Sequence, residues 1–188
     1  MTVPAVHHWY AGDMWNATRM NEITNQINWM QNPPMVHLRR RTTTQSIPSA
    51  AWTKVSFDTV VNSYDPYDMY DSATDPTMVV FTEPGWYSCE IYSSWVNWGA
   101  TDGCVVMGLM KNNFGPTPGS NGTLLRSDRR TQPSQGTNIV MRAEATFFFN
   151  VGDFVFMGAY NSDTGSAHSL ANTSDAECSG LRIRWVSN

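Results

Sequence analysis

The sequence predicts an all-β protein, an antiparallel jelly-roll sandwich of about eight to ten strands preceded by one short helix. Three observations lead there. Segments of period-two alternation recur from residue 51 to the end of the chain, which sets one row of side chains toward a core and the other away from it. Clusters of Gly, Pro, Asn and Asp separate these segments and supply the turns of an antiparallel meander. Only one stretch, residues 16–31, has convincing helical spacing, so no helices are available to connect parallel strands.

The helix comes first. Asn16 is a suitable N-cap, because its side-chain oxygen can accept a backbone N–H of the first turn, and Pro33 and Pro34 end the segment. Met20, Ile23, Ile27 and Met30 follow at steps of three and four and so share a narrow seam. A helix of this length, about 24 Å, is marginal alone in water. Its seam needs burial, and two arrangements stay open: three copies meeting on a shared axis, or packing on the chain's own sandwich.

Strands are expected at 35–41, 51–57, 78–81, 85–96, 104–110, 124–126, 138–149, 153–160 and 181–186. In 85–96, Tyr87, Cys89, Ile91, Ser93 and Trp95 oppose Trp86, Ser88, Glu90, Tyr92 and Ser94. In 138–149 the inward set is Ile139, Met141, Ala143, Ala145, Phe147 and Phe149, and in the last strand Leu181, Ile183 and Trp185 face away from Arg182 and Arg184. Loops are expected at 112–122 and 162–174. Residues 1–34 then form an arm with a helix, and residues 35–188 the sandwich.

Composition narrows the function. With 188 residues, 15% charged, a formal net charge of −4 and two lysines, Lys54 and Lys111, the chain lacks the clustered cations that phosphate backbones require. No apolar run has the roughly 20 residues of a membrane span, and the first residues lack the pattern of a secretory signal, so synthesis in the cytosol and no membrane insertion are expected. Cys89, Cys104 and Cys178 lack zinc-site spacing and are expected to be reduced, small core side chains. No Gly-x-Ser-x-Gly elbow or phosphate-cradling glycine loop occurs. A non-enzymatic chain without catalytic residues, cofactor or metal is expected. The stretch Asp65 to Asp71, with Asp58 and Asp75 nearby, lacks the spacing of a calcium loop and reads as turn-forming.

A resemblance adds to this reading. Thr44-Gln45-Ser46-Ile47-Pro48, then Trp52 to Phe57, Phe81-Thr82-Glu83-Pro84-Gly85-Trp86-Tyr87, Asn150 to Val155 and Ser179 to Ile183 resemble the strand order of the trimeric jelly rolls in complement globular heads and tumour-necrosis-factor ligands. The front segment, Ala11-Gly12-Asp13, the Asn-rich helix, Asn32 to Val36 and the run Arg39 to Thr43, resembles accessory virion proteins of tailed phages, especially of actinobacterial hosts. No collagen-like stalk is present, so the calcium chemistry and receptors of the animal proteins are not carried over. The phage resemblance implies a homotrimer displayed on the virion and leaves open whether on capsid or tail; the expectation taken is a decoration of the capsid exterior, bound to the major capsid protein or other virion proteins. The alternative it leaves is a minor tail protein or receptor-binding adhesin taking a host-surface saccharide or protein.

Two clusters are candidate contacts. His8, Trp9, Tyr10, Met14 and Trp15 precede the helix, and aromatic and Met side chains anchor interfaces; they either dock on another protein or fold back onto the sandwich. Arg39, Arg40 and Arg41 form the densest positive run. Their side chains alternate on a strand, and they either pair with carboxylates of a neighbouring subunit or capsid surface, or solvate a sheet edge.

Overall fold

The computed structural model describes residues 16–96, 103–113, 123–131, 139–162, 167–171 and 178–187. A helix, α1 (Ala17–Gln31), is capped by the Asn16 side chain, which accepts from the Arg19 amide at 3.0 Å. Twelve strands follow: β1 (Met35–Arg40), β2 (Gln45–Ile47), β3 (Trp52–Lys54), β4 (Thr59–Val60), β5 (Met78–Val80), β6 (Gly85–Val96), β7 (Cys104–Lys111), β8 (Thr123–Thr131), β9 (Ile139–Phe149), β10 (Phe154–Asn161), β11 (His168–Leu170) and β12 (Ser179–Ser187). They form two antiparallel sheets, the jelly-roll architecture read from the alternation.

The larger sheet runs β2-β11-β6-β12-β1-β4, with β9 on the other edge of β6. The smaller runs β3-β10-β7-β8, with β5 also on β10. Between them lies a core that includes Tyr87, Ile91, Trp95, Met107, Leu109, Met157, Leu181 and Ile183. Phe81 stacks on Phe149 at 3.8 Å between centroids, and Tyr87 crosses Phe81 edge-on while its hydroxyl donates to the Glu83 carbonyl. The inward rows of β6 and β9 are those expected, apart from partial exposure of Ala145 and Phe147 near the sheet's end. Cys89, Cys104 and Cys178 are free thiols, all buried, and burial pushes the Cys89 thiol up to about 12.

Several elements differ from expectation. The 51–57 segment is regular strand only at β3, although Val55 still donates to the Met157 carbonyl and Val55 and Phe57 are buried. β8 is nine residues long against the three expected at 124–126, so Arg126, Asp128, Arg129 and Arg130 all lie along the edge of the smaller sheet. Within the expected 162–174 loop, β11 pairs with both β2 and β6 and buries His168 and Leu170. β1 is no edge strand, since β12 and β4 flank it.

Four aspartates of the 58–75 region, Asp58, Asp65, Asp71 and Asp75, accept hydrogen bonds from nearby turn amides. Asp65 accepts the Met69 and Tyr70 amides, Asp71 those of Ala73 and Thr74, and Asp75 that of Thr77. Asp58 takes the Arg41 and Thr42 amides and the Thr42 hydroxyl; its partial burial favours the neutral acid, but these donors outweigh it and hold the carboxyl at about 2. No helix among the described residues is long and apolar enough to cross a membrane.

Candidate functional site

The outer face of the larger sheet is built by strand register. β1, β12, β6 and β9 are consecutive antiparallel neighbours, so residues far apart in sequence stand in rows across the sheet. One row is Arg39, Gly180, Tyr92 and Arg142. The next is His37, Arg182, Glu90 and Glu144, and the third Met35, Arg184, Ser88 and Thr146. A bulge in β12 then sets Ser187 opposite Trp86, whose other partner is Phe148. One face therefore has two unlike ends, about 20 Å apart at the rise of an extended strand.

The first end is apolar. Trp86 and Phe148 meet edge to face at 5.7 Å and remain 44% and 43% exposed, beside exposed Val186. The helix α1 abuts this end. Trp29, its one buried residue, contacts Tyr67 and Trp185 edge-on, each at 5.4 Å, and the Trp185 amide donates to the Pro34 carbonyl. At 100° per residue, Met20 and Ile27 lie about 180° and 160° round the axis from Trp29. The helix thus sits on its own sandwich through a face other than the expected seam. Met20, Ile27 and Met30 stay exposed, Met30 at 71%, and Ile23 is half-buried.

The second end is polar and concave. A depression of about 340 Å³ is lined by His37, Arg39, Glu90, Tyr92, Arg142 and Arg182, with Val140 and Met141 at its side. Its floor depends on Gly180: a Cβ there would collide with the Tyr92 hydroxyl and the Leu38 carbonyl, so glycine lets the Tyr92 phenol lie across β12. That hydroxyl accepts from Arg39 Nε at 3.2 Å and lies 2.8 Å from His37 Nε2. Burial pushes Tyr92 up to about 12. His37 falls from 6.5 to about 4, first because it is half-buried and then because Arg39 and Arg182 repel its proton. Arg142 Nε pairs with Glu90 at 2.6 Å, while Glu144, opposite Glu90, turns to accept the Ser88 hydroxyl at 2.7 Å.

The arginine run divides by strand alternation. Arg40 is 7% exposed and spends its guanidinium inside the chain, donating to the Ser56 carbonyl and hydroxyl, the Thr43 hydroxyl and the Thr44 carbonyl. That makes Arg40 a stitch between β1 and the following segment, not a contact for a capsid or subunit. Arg39 faces the depression and Arg41 is exposed. The candidate anchor residues His8, Trp9, Tyr10, Met14 and Trp15 lie outside the described residues, as do residues 114–122 of the expected outer loop. Among the described residues no group of His, Cys, Asp and Glu is placed to hold a metal ion.

Neither the outer set of β9 nor Trp29 was singled out by sequence. For β9 the signal is present, since Val140 and Phe148 interrupt an otherwise polar outward row. For Trp29 the signal is its position, a large apolar side chain off the seam.

No protein-family model matches this chain, and no curated protein matches it in sequence. Solved structures do match in fold. The globular domain of zebrafish complement 1qA superposes with a TM-score of 0.57 at 15% identity, covering 82% of this chain and 99% of that one. Eiger TNF from S. frugiperda gives 0.54 at 15%, covering 82% and 93%. Murine APRIL gives 0.55 at 11%, covering 80% and 97%. The fold is thus that of the tumour-necrosis-factor and complement-head jelly rolls. At such identities the likeness is one of fold alone.

Proposed function

We propose that this chain is a non-enzymatic virion structural protein of a tailed phage, assembled as a homotrimer and decorating the capsid exterior. One observation carries the assembly: two apolar surfaces, the α1 seam and the Trp86, Phe148 and Val186 group, lie at the same end of the molecule and both turn away from its own core. Exposed apolar surface of this kind favours a protein partner, because removing it from water gains roughly 25 cal/mol per Å². The resemblance of the strand segments to trimeric jelly rolls supports a threefold partner of the same kind. The resemblance of residues 11–43 to accessory virion proteins supports the setting, with the first 34 residues as anchor and base of the trimer.

Decoration then acts by linkage. Contacts that exist only on the assembled shell shift the equilibrium toward it, and three anchors on one trimer reinforce one another through effective concentration. The test is mass and copy number. Sedimentation of the pure protein should give three times the chain mass, and quantitative protein counting on purified particles should give hundreds of copies. A monomer in solution refutes the trimer. A handful of copies at the tail tip replaces decoration with host attachment.

A further inference from the structure

We propose that the depression at the polar end of the larger sheet is a binding site for a small oxyanion of the carboxylate or phosphate type. Among the described residues, three guanidinium groups, Arg39, Arg142 and Arg182, line it with one carboxylate, Glu90, in a chain whose formal net charge is −4. The one carboxylate is already engaged by Arg142, and Glu144 is turned away to Ser88. Guanidiniums thus gather locally among the described residues, and a concave, partly apolar wall concentrates their field.

The geometry is fixed rather than incidental. The cations arrive from three different strands, β1, β12 and β9, and strand register holds them around one floor. That floor is the Tyr92 phenol, held over Gly180 and tied to Arg39 and His37. His37 adds a polar edge without adding charge, because partial burial and then the flanking guanidiniums keep it neutral at ordinary pH. Guanidinium forks match the paired oxygens of a carboxylate or phosphate, and the volume of about 340 Å³ is that of a small-molecule pocket. Val140, exposed beside the cations, gives an apolar surface for the body of an organic anion.

This inference does not depend on the trimer, since the depression lies at the other end of the face from the apolar group. Isothermal titration of the full chain with inorganic phosphate, citrate and glucuronate tests it. Saturable binding of at least one probe is expected, weakened roughly tenfold, about 1.4 kcal/mol, in Arg182→Gln and in Arg142→Gln. Arg184→Gln, on the same strand face but outside the depression, should bind as the parent does. Both glutamine substitutions are at exposed positions, and melting curves confirm that the variants fold. Binding that survives both Arg182→Gln and Arg142→Gln, or falls equally in Arg184→Gln, overturns the site, as does the absence of saturable binding by all three probes. Phosphate alone identifies an inorganic or phosphoryl ligand, and citrate or glucuronate alone an organic carboxylate; either outcome supports the site.

Discussion

The two ends of the larger sheet's outer face share strands, alternation and exposure, yet they solve solvation in opposite ways. At the polar end several outward residues find partners on neighbouring strands: Arg142 meets Glu90, Glu144 meets Ser88, and Tyr92 meets Arg39 and His37. At the apolar end Trp86 and Phe148 meet edge to face and both stay partly exposed. The comparison teaches where association should start. A polar surface largely tied by internal hydrogen bonds gains little from burial against an apolar partner, whereas an apolar one gains in proportion to the area it loses to water.

The largest effect should come from the joint between helix and apolar end. Trp29→Ala removes the one buried side chain of α1 and its contacts to Tyr67 and Trp185, so unfolding in urea should lose about 3–5 kcal/mol. A loss under about 1 kcal/mol would mean that the helix is not held by this contact. Next, Ile23→Asp with Ile27→Asp should leave the fold intact by circular dichroism and weaken self-association by on the order of 100-fold, about 2.7 kcal/mol, read as a fall in mass on sedimentation. Unchanged mass would remove the seam from the interface.

At the polar end the effects are smaller. Gly180→Ala displaces the Tyr92 phenol and should cost about 1–3 kcal/mol as overpacking, without altering mass. A change in mass instead would bring this end into the interface.

The smallest effect is that of His37. Its folded pKa of about 4 lies below its ordinary 6.5, so the unfolded chain binds the proton more readily and the group lowers stability as pH falls from 6.5 to 4. Arg39, Arg182 and the Tyr92 hydroxyl face it from β1, β12 and β6, with Glu90 in the same depression. His37→Gln should flatten that part of the stability profile by under about 1 kcal/mol after solvent screening. A slope equal to the parent's would show that other groups carry it.

Legibility in the sequence followed period and length. The long strands β6, β9 and β12 have enough residues to display alternation, and their faces were readable. β2, β4 and β11 have two or three residues each, too few to hold a period, and exist because long neighbours offer them an edge. The burial of Arg40 was hidden for another reason: its partners are carbonyls and hydroxyls of the 43–56 stretch, which leave no charge pattern. The polar depression was hidden by topology. His37 and Arg182 stand 145 positions apart in numbering and become neighbours only through the β1 and β12 register, whereas the helix seam is local and could be read directly.

The charged rim of β8 bears on what happens after subunits meet. Any protomer that presents adhesive surface also needs a boundary on growth, or pairing would continue from strand to strand without closure. Arg126, Asp128, Arg129 and Arg130 along the last strand of the smaller sheet make further backbone pairing costly there. Under the proposed assembly, such a rim favours finite particles over fibres.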